Sequence, residues 1–214
     1  GLSHDNACYN IWTWNAINIT IRKCEVFRGR PPGAYDDSGG FDIDWGSEGC
    51  TVEYCYAHHN KGAGILLMGS GTDEYRKFPQ QSRFNLCRFN VVMDNGHGIL
   101  VYNTFEDGII HNNLATSHVA EKPALELWSE DWDPKLPPQS VTRCRIVNNI
   151  LIGTNGGYPL AADDGSLRAV GNELDHNLYW REGPEPAILR MGGTRKDWQD
   201  PKRYVPFETW TATG

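Results

Sequence analysis

Two carboxylates stand two residues apart in "GFDIDWG", Asp42 and Asp44, and Trp45 follows them directly. Further along come Glu126 and Trp128 in "LELW" and Asp163 in "PLAADD". Carboxylates so spaced can divide acid and base work, one protonating a leaving oxygen while the other activates a water. Trp12, Trp45, Tyr102 and Trp128 offer flat apolar faces of the kind that stack on sugar rings. The candidate catalytic set is therefore Asp42, Asp44 and Glu126. The candidate substrate-binding set is Trp12, Trp45, Tyr102, Trp128 and Asp163, for a polysaccharide or oligosaccharide. Two other readings compete for the aspartates: a solvated acidic strand, or calcium ligands joined by Asp36 and Asp37.

A second cluster with chemical potential is "CYAHHN", where Cys55 is followed by His58, His59 and Asn60. Reactive thiols need exposure and a neighbour that stabilises the thiolate, and none is evident here. The six cysteines (Cys8, Cys24, Cys50, Cys55, Cys87 and Cys144) contain no CxxC pair, so the usual zinc spacing is missing. A buried structural thiol is the expectation for Cys55, with His58 and His59 solvated in a strand or its turn.

These residues are positioned by a repeat. The segments "ITIRKCEVF", "CTVEYCYAHHN", "LCRFNVVMDNG", "GIIHNNLATS", "CRIVNNILIGTNG" and "NELDHNLYW" align on one column: Cys24, Cys55, Asn90, Asn113, Asn149 and Asn177. Three residues earlier stand Ile21, Val52, Cys87, Ile110, Ile146 and Leu174. Two residues later stand Val26, Ala57, Val92, Ala115, Leu151 and Tyr179. Upstream of each column lies another short apolar run: "YNIW", "FDID", "ILLM", "ILVY", "LELW", "PLAAD" and "AILRM". Runs of this length suit strands, and no amphipathic helix is visible. The fold class follows: all-β, a right-handed parallel β-helix of about six to seven coils with an Asn/Cys ladder, as a single domain over residues 1–214. A Cys24–Cys55 disulfide fits the distance between coils but not the torsion of stacked side chains. Cys50 and Cys144 are three coils apart and too distant to pair.

The chain has 214 residues and a formal net charge of −7, with 22% charged and 39% hydrophobic residues. It holds no run of Lys or Arg long enough to track a nucleic acid backbone, and no apolar stretch approaches a membrane span. Neither nucleic acid nor a membrane is an expected partner, and the oligomeric state is left open. Insertions fall beside the first strand: "RGRPPGAYDDSGG" before it, "GSGTDEYRKFPQQ" and "SEDWDPKLPPQ" after it. Functional loops on a rigid scaffold are a common arrangement.

Strict alternation along the first strands puts Phe41 and Ile43 inside and Asp42 and Asp44 outside. The same register sends Asn10, Trp12, Leu66, Met68, Leu100, Tyr102, Glu126, Trp128, Ala161 and Asp163 outward, and Arg190 inward. Trp12, Asp42, Asp44, Tyr102, Glu126 and Trp128 should then be partly exposed along one line. Asp42 and Asp44 lie about 6.6 Å apart at Cα, and Glu126 and Asp163 about 8 Å, both suited to an inverting glycosidase. Asp44 and Glu126 are about 14 Å apart, too far to share one glycosidic bond.

The ladder and the coil "GFDIDWGSEGCTVEYCYAHHNKGAGILLM" resemble the pectate-lyase-like superfamily of right-handed β-helix proteins, over essentially the whole chain. The resemblance implies a secreted, carbohydrate-active protein with its ligand on the outer first-strand face. It also brings in the calcium-assisted lyase chemistry of that superfamily, with an Arg or Lys base. No basic residue falls on the mapped face beside the aspartates, although Lys61, Arg76 and Lys77 stand in neighbouring loops. A glycoside hydrolase needing no cofactor is therefore the first expectation. A calcium-assisted polysaccharide lyase is the second, and a non-catalytic glycan-binding or structural module the third. "GLSHDNACYNIW" matches "CYAHHNKGAGILL" in layout, with Gly1 at the ladder column and Asn6 opposite Asn60. The chain reads as a fragment of a longer protein, starting mid-coil and ending at "FETWTATG".

Overall fold

The computed structural model describes residues 1–30, 38–69, 82–120, 122–128, 141–163, 171–183, 189–192 and 204–205. The chain begins with β1 (Leu2–His4) and winds through three strands per coil. The first coil is β2 (Tyr9–Thr13), β3 (Thr20–Arg22) and β4 (Glu25–Phe27). The second is β5 (Gly39–Ile43), β6 (Thr51–Glu53) and β7 (Tyr56–His58). The third is β8 (Ala63–Met68), β9 (Leu86–Arg88) and β10 (Val91–Met93). The fourth is β11 (His97–Tyr102), β12 (Ile109–His111) and β13 (Leu114–Ser117). The fifth is β14 (Pro123–Trp128), β15 (Arg145–Val147) and β16 (Ile150–Gly153). The sixth is β17 (Tyr158–Asp163), β18 (Glu173–Asp175) and β19 (Leu178–Arg181). Then follow β20 (Leu189–Gly192) and β21 (Tyr204–Val205).

Like strands of successive coils pair in parallel to make three sheets. The first holds β2, β5, β8, β11, β14, β17 and β20, with β21 added antiparallel at its end. Among the described residues no helix is long and apolar enough to cross a membrane.

The apolar columns read from the sequence are the columns of the core. Ile21, Val52, Cys87, Ile110, Ile146 and Leu174 pair in unbroken register down the second sheet. Val26, Ala57, Val92, Ala115, Leu151 and Tyr179 do so down the third. The first sheet contributes Phe41, Ile43, Ile65, Leu67, Ile99, Val101, Leu125 and Leu127, all fully buried. Each such side chain stabilises the fold by about 1.5–3 kcal/mol relative to leaving it in water.

Between the second and third sheets the chain bends through one left-handed residue per coil. These are Lys23, Tyr54, Phe89, Asn112, Asn148 and His176, all with φ between 53° and 58°. The bend costs local strain and interrupts the sheet hydrogen bonds. The ladder residue that follows repairs it. Asn113 Oδ1 accepts from the backbone N–H of Asn90 at 3.0 Å and from Asn90 Nδ2 at 3.0 Å. Asn113 Nδ2 donates to Cys87 O and to Asn149 Oδ1, each at 3.0 Å. Asn149 and Asn177 repeat the pattern at 2.9 Å. Cys55 occupies the same column with its N–H on Asn90 Oδ1, and Cys24 precedes it. All six cysteines are free.

Asparagines at two further corners were not anticipated. At the corner before the second sheet, Asn85 receives the N–H of Cys50 and Asn172 that of Cys144. At the corner entering the first sheet, Asn10 donates to Asn60 at 3.1 Å and Asn60 to Asn95 at 2.8 Å. Asn10 thus serves this corner and does not face outward as alternation suggested. Asn6 lies one step outside, donating to Asn10. His58 also departs from expectation: its side chain is 15% exposed, stacked against Phe27 and Tyr56 and bonded to Glu25. His59 is exposed.

Candidate functional site

The outer face of the first sheet carries two rows of side chains running along the solenoid. Pairing sets Trp12 beside Asp42, Asp42 beside Leu66, Leu66 beside Leu100 and Leu100 beside Glu126, with Ala161 next. The second row, two residues further along each strand, holds Met68, Tyr102 and Trp128, with Asp163 next in register; Trp14 and Asp44 stand just past the ends of β2 and β5. Arg190 pairs with Ala161 in register, and the direction of its side chain, read as inward from the sequence, lies outside what is described.

Exposure along these rows differs from the expectation of a uniformly accessible line. Trp12 and Trp14 are half exposed, with ring centroids 6.4 Å apart and planes inclined by 30°. Asp44, Trp45 and Tyr102 are partly buried. Asp42 (4% exposed), Glu126 (2%) and Trp128 (8%) are buried. Each stands between neighbours only one strand spacing, about 4.8 Å, away, which leaves a short side chain little room to reach water.

The buried carboxylate of Glu126 has a specific partner. His97 Nδ1 lies 2.7 Å from Glu126 Oε2, and His97 Nε2 lies 3.0 Å from Lys122 Nζ. With Lys122 protonated, Nε2 must accept and Nδ1 must donate to Glu126, which sets the tautomer. A carboxylate orienting an imidazole whose other nitrogen meets a cation is an arrangement suited to proton transfer. His97 pairs with Ala63, in a third outward row that includes Tyr9 and Tyr158. Arg181 extends the basic edge by one coil, its guanidinium 4.4 Å from the centre of the Tyr158 ring.

Alternation failed to find His97 for a definite reason. A side chain at Gly64 would collide with Val92 and Asn95 inside the solenoid, so the strand takes two inward positions in succession there. The residue before that step therefore faces out. The signal was the small residue that recurs at this step: Gly40, Gly64, Gly98 and Ala124.

The proposed carboxylates do not converge as one set. Asp42 and Glu126 are separated by three strand spacings, about 14 Å. Asp42 lies on β5 and Asp44 just past its end, with Asp44 Oδ1 accepting the N–H of Trp45 at 2.6 Å. Among the described residues no group of three or more His, Cys, Asp or Glu side chains converges as if to hold a metal ion. Asp36 and Asp37, Arg76 and Lys77, and the inserted segments 31–37, 70–81 and 129–140 lie outside the described residues. Lys61 is exposed.

Residues 3–131 match the family model described as the right handed beta helix region. The chain belongs to the right-handed beta helix family. No curated protein matches it by sequence. Among solved structures, this beta helix resembles the A-module of mannuronan C-5 epimerase AlgE4 from Azotobacter vinelandii, with a TM-score of 0.61 and 15% identity. That match covers 90% of this chain and 56% of the other. The A-module of AlgE6 from the same organism gives a TM-score of 0.60 and 13% identity, over 86% of this chain and 57% of that one. At such identities the likeness is one of fold. The beta helix described here spans little more than half the length of either module.

Proposed function

We propose that the outer face of the first sheet binds an anionic polysaccharide and that His97 removes the proton next to a uronate carboxyl group. The observation that carries this reading is the Lys122–His97–Glu126 chain of hydrogen bonds. A uronate carboxylate arriving at Lys122 takes the ammonium as its counter-ion and releases the Nε2 lone pair. His97 then accepts the C5 proton through Nε2, and Glu126 stabilises the imidazolium through Nδ1. The electron pair left at C5 delocalises into the carboxyl group held by Lys122. A proton delivered from solvent to the opposite face, with the imidazolium returning its own to solvent, gives the epimer; departure of the 4-oxygen, protonated by the imidazolium, gives an unsaturated sugar and a broken chain. The fold shared with modules named as mannuronan C-5 epimerases supports the same class of substrate. Such a polymer is met outside the cell, which favours a secreted protein.

Hydrolysis is the second reading, favoured by the closeness of Asp42 on β5 and Asp44 just past its end, about 6.6 Å apart between Cα atoms for extended chain. Incubation with polyuronates and with neutral polysaccharides, each with and without a chelator, separates the two. The proposed chemistry yields epimerised or ultraviolet-absorbing unsaturated products from polyuronates only. Rates should fall at least about a hundredfold in His97→Ala, the scale of a lost general base. Saturated reducing ends released from neutral polymers, lost in Asp44→Asn and retained in His97→Ala, transfer the activity to the aspartates. A rate abolished by chelator adds calcium to the mechanism.

A further inference from the structure

Away from the groove, the outer face of the third sheet brings two imidazoles together. His58 ends β7, and His59 follows it in the left-handed region, with φ 55°. The His59 ring meets the His58 ring edge on, with centroids 5.0 Å apart and planes at 86°. Their two Nδ1 atoms lie 2.7 Å apart. His58 is held firmly in this position. Its Nε2 lies 3.1 Å from Glu25 Oε1, and its ring stacks on Phe27 at 5.0 Å and on Tyr56 at 4.3 Å. Met93 is its partner in register on the next strand, so a thioether-bearing residue stands one spacing, about 4.8 Å, away.

Glu25 fixes the chemistry of the pair. An ionised carboxylate only accepts, so His58 donates to it from Nε2, and its Nδ1 carries a lone pair. That lone pair faces His59 Nδ1, which must hold the one proton between them. A carboxylate behind an imidazole whose other nitrogen carries the lone pair is the arrangement that orients a histidine toward a metal and raises its basicity. If the His59 proton moves to Nε2, a cation can take its place between the two Nδ1 atoms. The spacing discriminates among metals. At metal–nitrogen distances of about 2.0–2.1 Å, cis ligands of a tetragonal ion stand about 2.9 Å apart and tetrahedral ligands about 3.4 Å. The observed 2.7 Å is close to the first and far from the second. Tetragonal nitrogen sites suit Cu(II) and Ni(II), and affinity is greatest for Cu(II). We propose that His58 and His59 bind one tetragonal transition-metal ion through both Nδ1 atoms, Cu(II) ahead of Ni(II) and Zn(II), with Glu25 as a positioning residue. Solvent fills the remaining coordination positions. The site lies on a different sheet from His97 and does not depend on the reaction there.

The test is a titration of the chelator-stripped, desalted chain at neutral pH with copper(II), nickel(II) and zinc(II) chlorides, followed by calorimetry. Nickel and zinc do not oxidise thiols, so they check that the copper result is not cysteine chemistry. One equivalent of Cu(II) should bind with a Kd below about 10 µM, and Ni(II) and Zn(II) at least about tenfold more weakly. Paramagnetic resonance of the copper form should show an axial signal split by two imidazole nitrogens. His59→Asn removes one of those nitrogens and keeps a residue type that accepts positive φ. It should weaken Cu(II) by at least about a hundredfold, since even a residue behind a ligand is worth about ten- to a hundredfold. Glu25→Gln should weaken it by about tenfold with the Tm unchanged, whereas a merely structural role would lower the Tm and leave the Kd alone. The exposed His176, changed to Ala, should have no effect. Copper bound no tighter than about 10 µM, or bound as tightly in His59→Asn, is adventitious and overturns the site. Zinc bound ahead of copper contradicts the tetragonal assignment.

Discussion

The Nε2 of His97 must give up its hydrogen bond to Lys122 before it can accept a proton from a substrate, while Nδ1 keeps its bond to Glu126. Glu126→Gln keeps the shape of the buried side chain and removes the charge that steadies the imidazolium. It should lower kcat by about ten- to a hundredfold with little change in KM, because the charge matters only as the proton moves. Equal effects on kcat and KM would make Glu126 a structural residue. The thiols yield a separate prediction. Burial pushes the Cys87 and Cys144 thiols up to about 12, and those of Cys50 and Cys55 upward as well. In the native protein these four should resist alkylation under conditions that modify an unfolded chain, while the half-buried Cys8 and Cys24 react first; rapid labelling of Cys55 would end its assignment as a ladder residue. On the surface, the Arg143 guanidinium beside Asp107 holds that carboxyl below its usual range. A depressed carboxyl stabilises the fold above the unfolded-state value and ceases to as pH falls through the folded one. Arg143→Gln should therefore flatten the fall in Tm below about pH 4, by no more than an exposed pair allows, about 0.2–1 kcal/mol. An identical acid limb in the variant removes this pair from the account.

At the scale of the element, the corner between the second and third sheets holds the coils in register. Asn113→Leu would leave the Asn90 N–H, the Asn90 amide and the Cys87 carbonyl without their partner. At about 1–3 kcal/mol for each buried orphan, a loss of about 3 kcal/mol or more follows, and a Tm lower by about 6–12 °C. An unchanged Tm would contradict the ladder. This corner was legible in the sequence because its spacing is rigid. Ile110, Asn113 and Ala115 must keep their offsets whatever the length of the loops between coils. The first strands were legible for the same reason from Phe41 to Ile43 and from Ile99 to Val101. Legibility stopped where the strand departs from a period of two. At Gly64 and its equivalents a small residue lets two successive positions turn inward, and both Asn10 and His97 were misplaced or missed on that account.

For the molecule as a whole, a solenoid with one continuous outer sheet supplies a straight groove whose composition changes from coil to coil. Sequence reading located that face and its carboxylates, because facing inward or outward is a property of each strand alone. It did not pair Glu126 with His97, since that contact crosses coils and depends on the position of Lys122, immediately before β14. Asp42 and Glu126 also belong to separate regions of the groove, which is why the reaction is assigned to one end of it. The most direct measurement is turnover of polyuronates in deuterium oxide, with the product sugars analysed by nuclear magnetic resonance. Abstraction by His97 predicts deuterium at C5 of the epimerised product, or unsaturation with loss of the C5 hydrogen. Both should vanish in His97→Ala while the far-ultraviolet circular dichroism stays that of the native solenoid. Saturated chain ends with C5 still carrying its original hydrogen, formed equally by the native chain and His97→Ala, would contradict it.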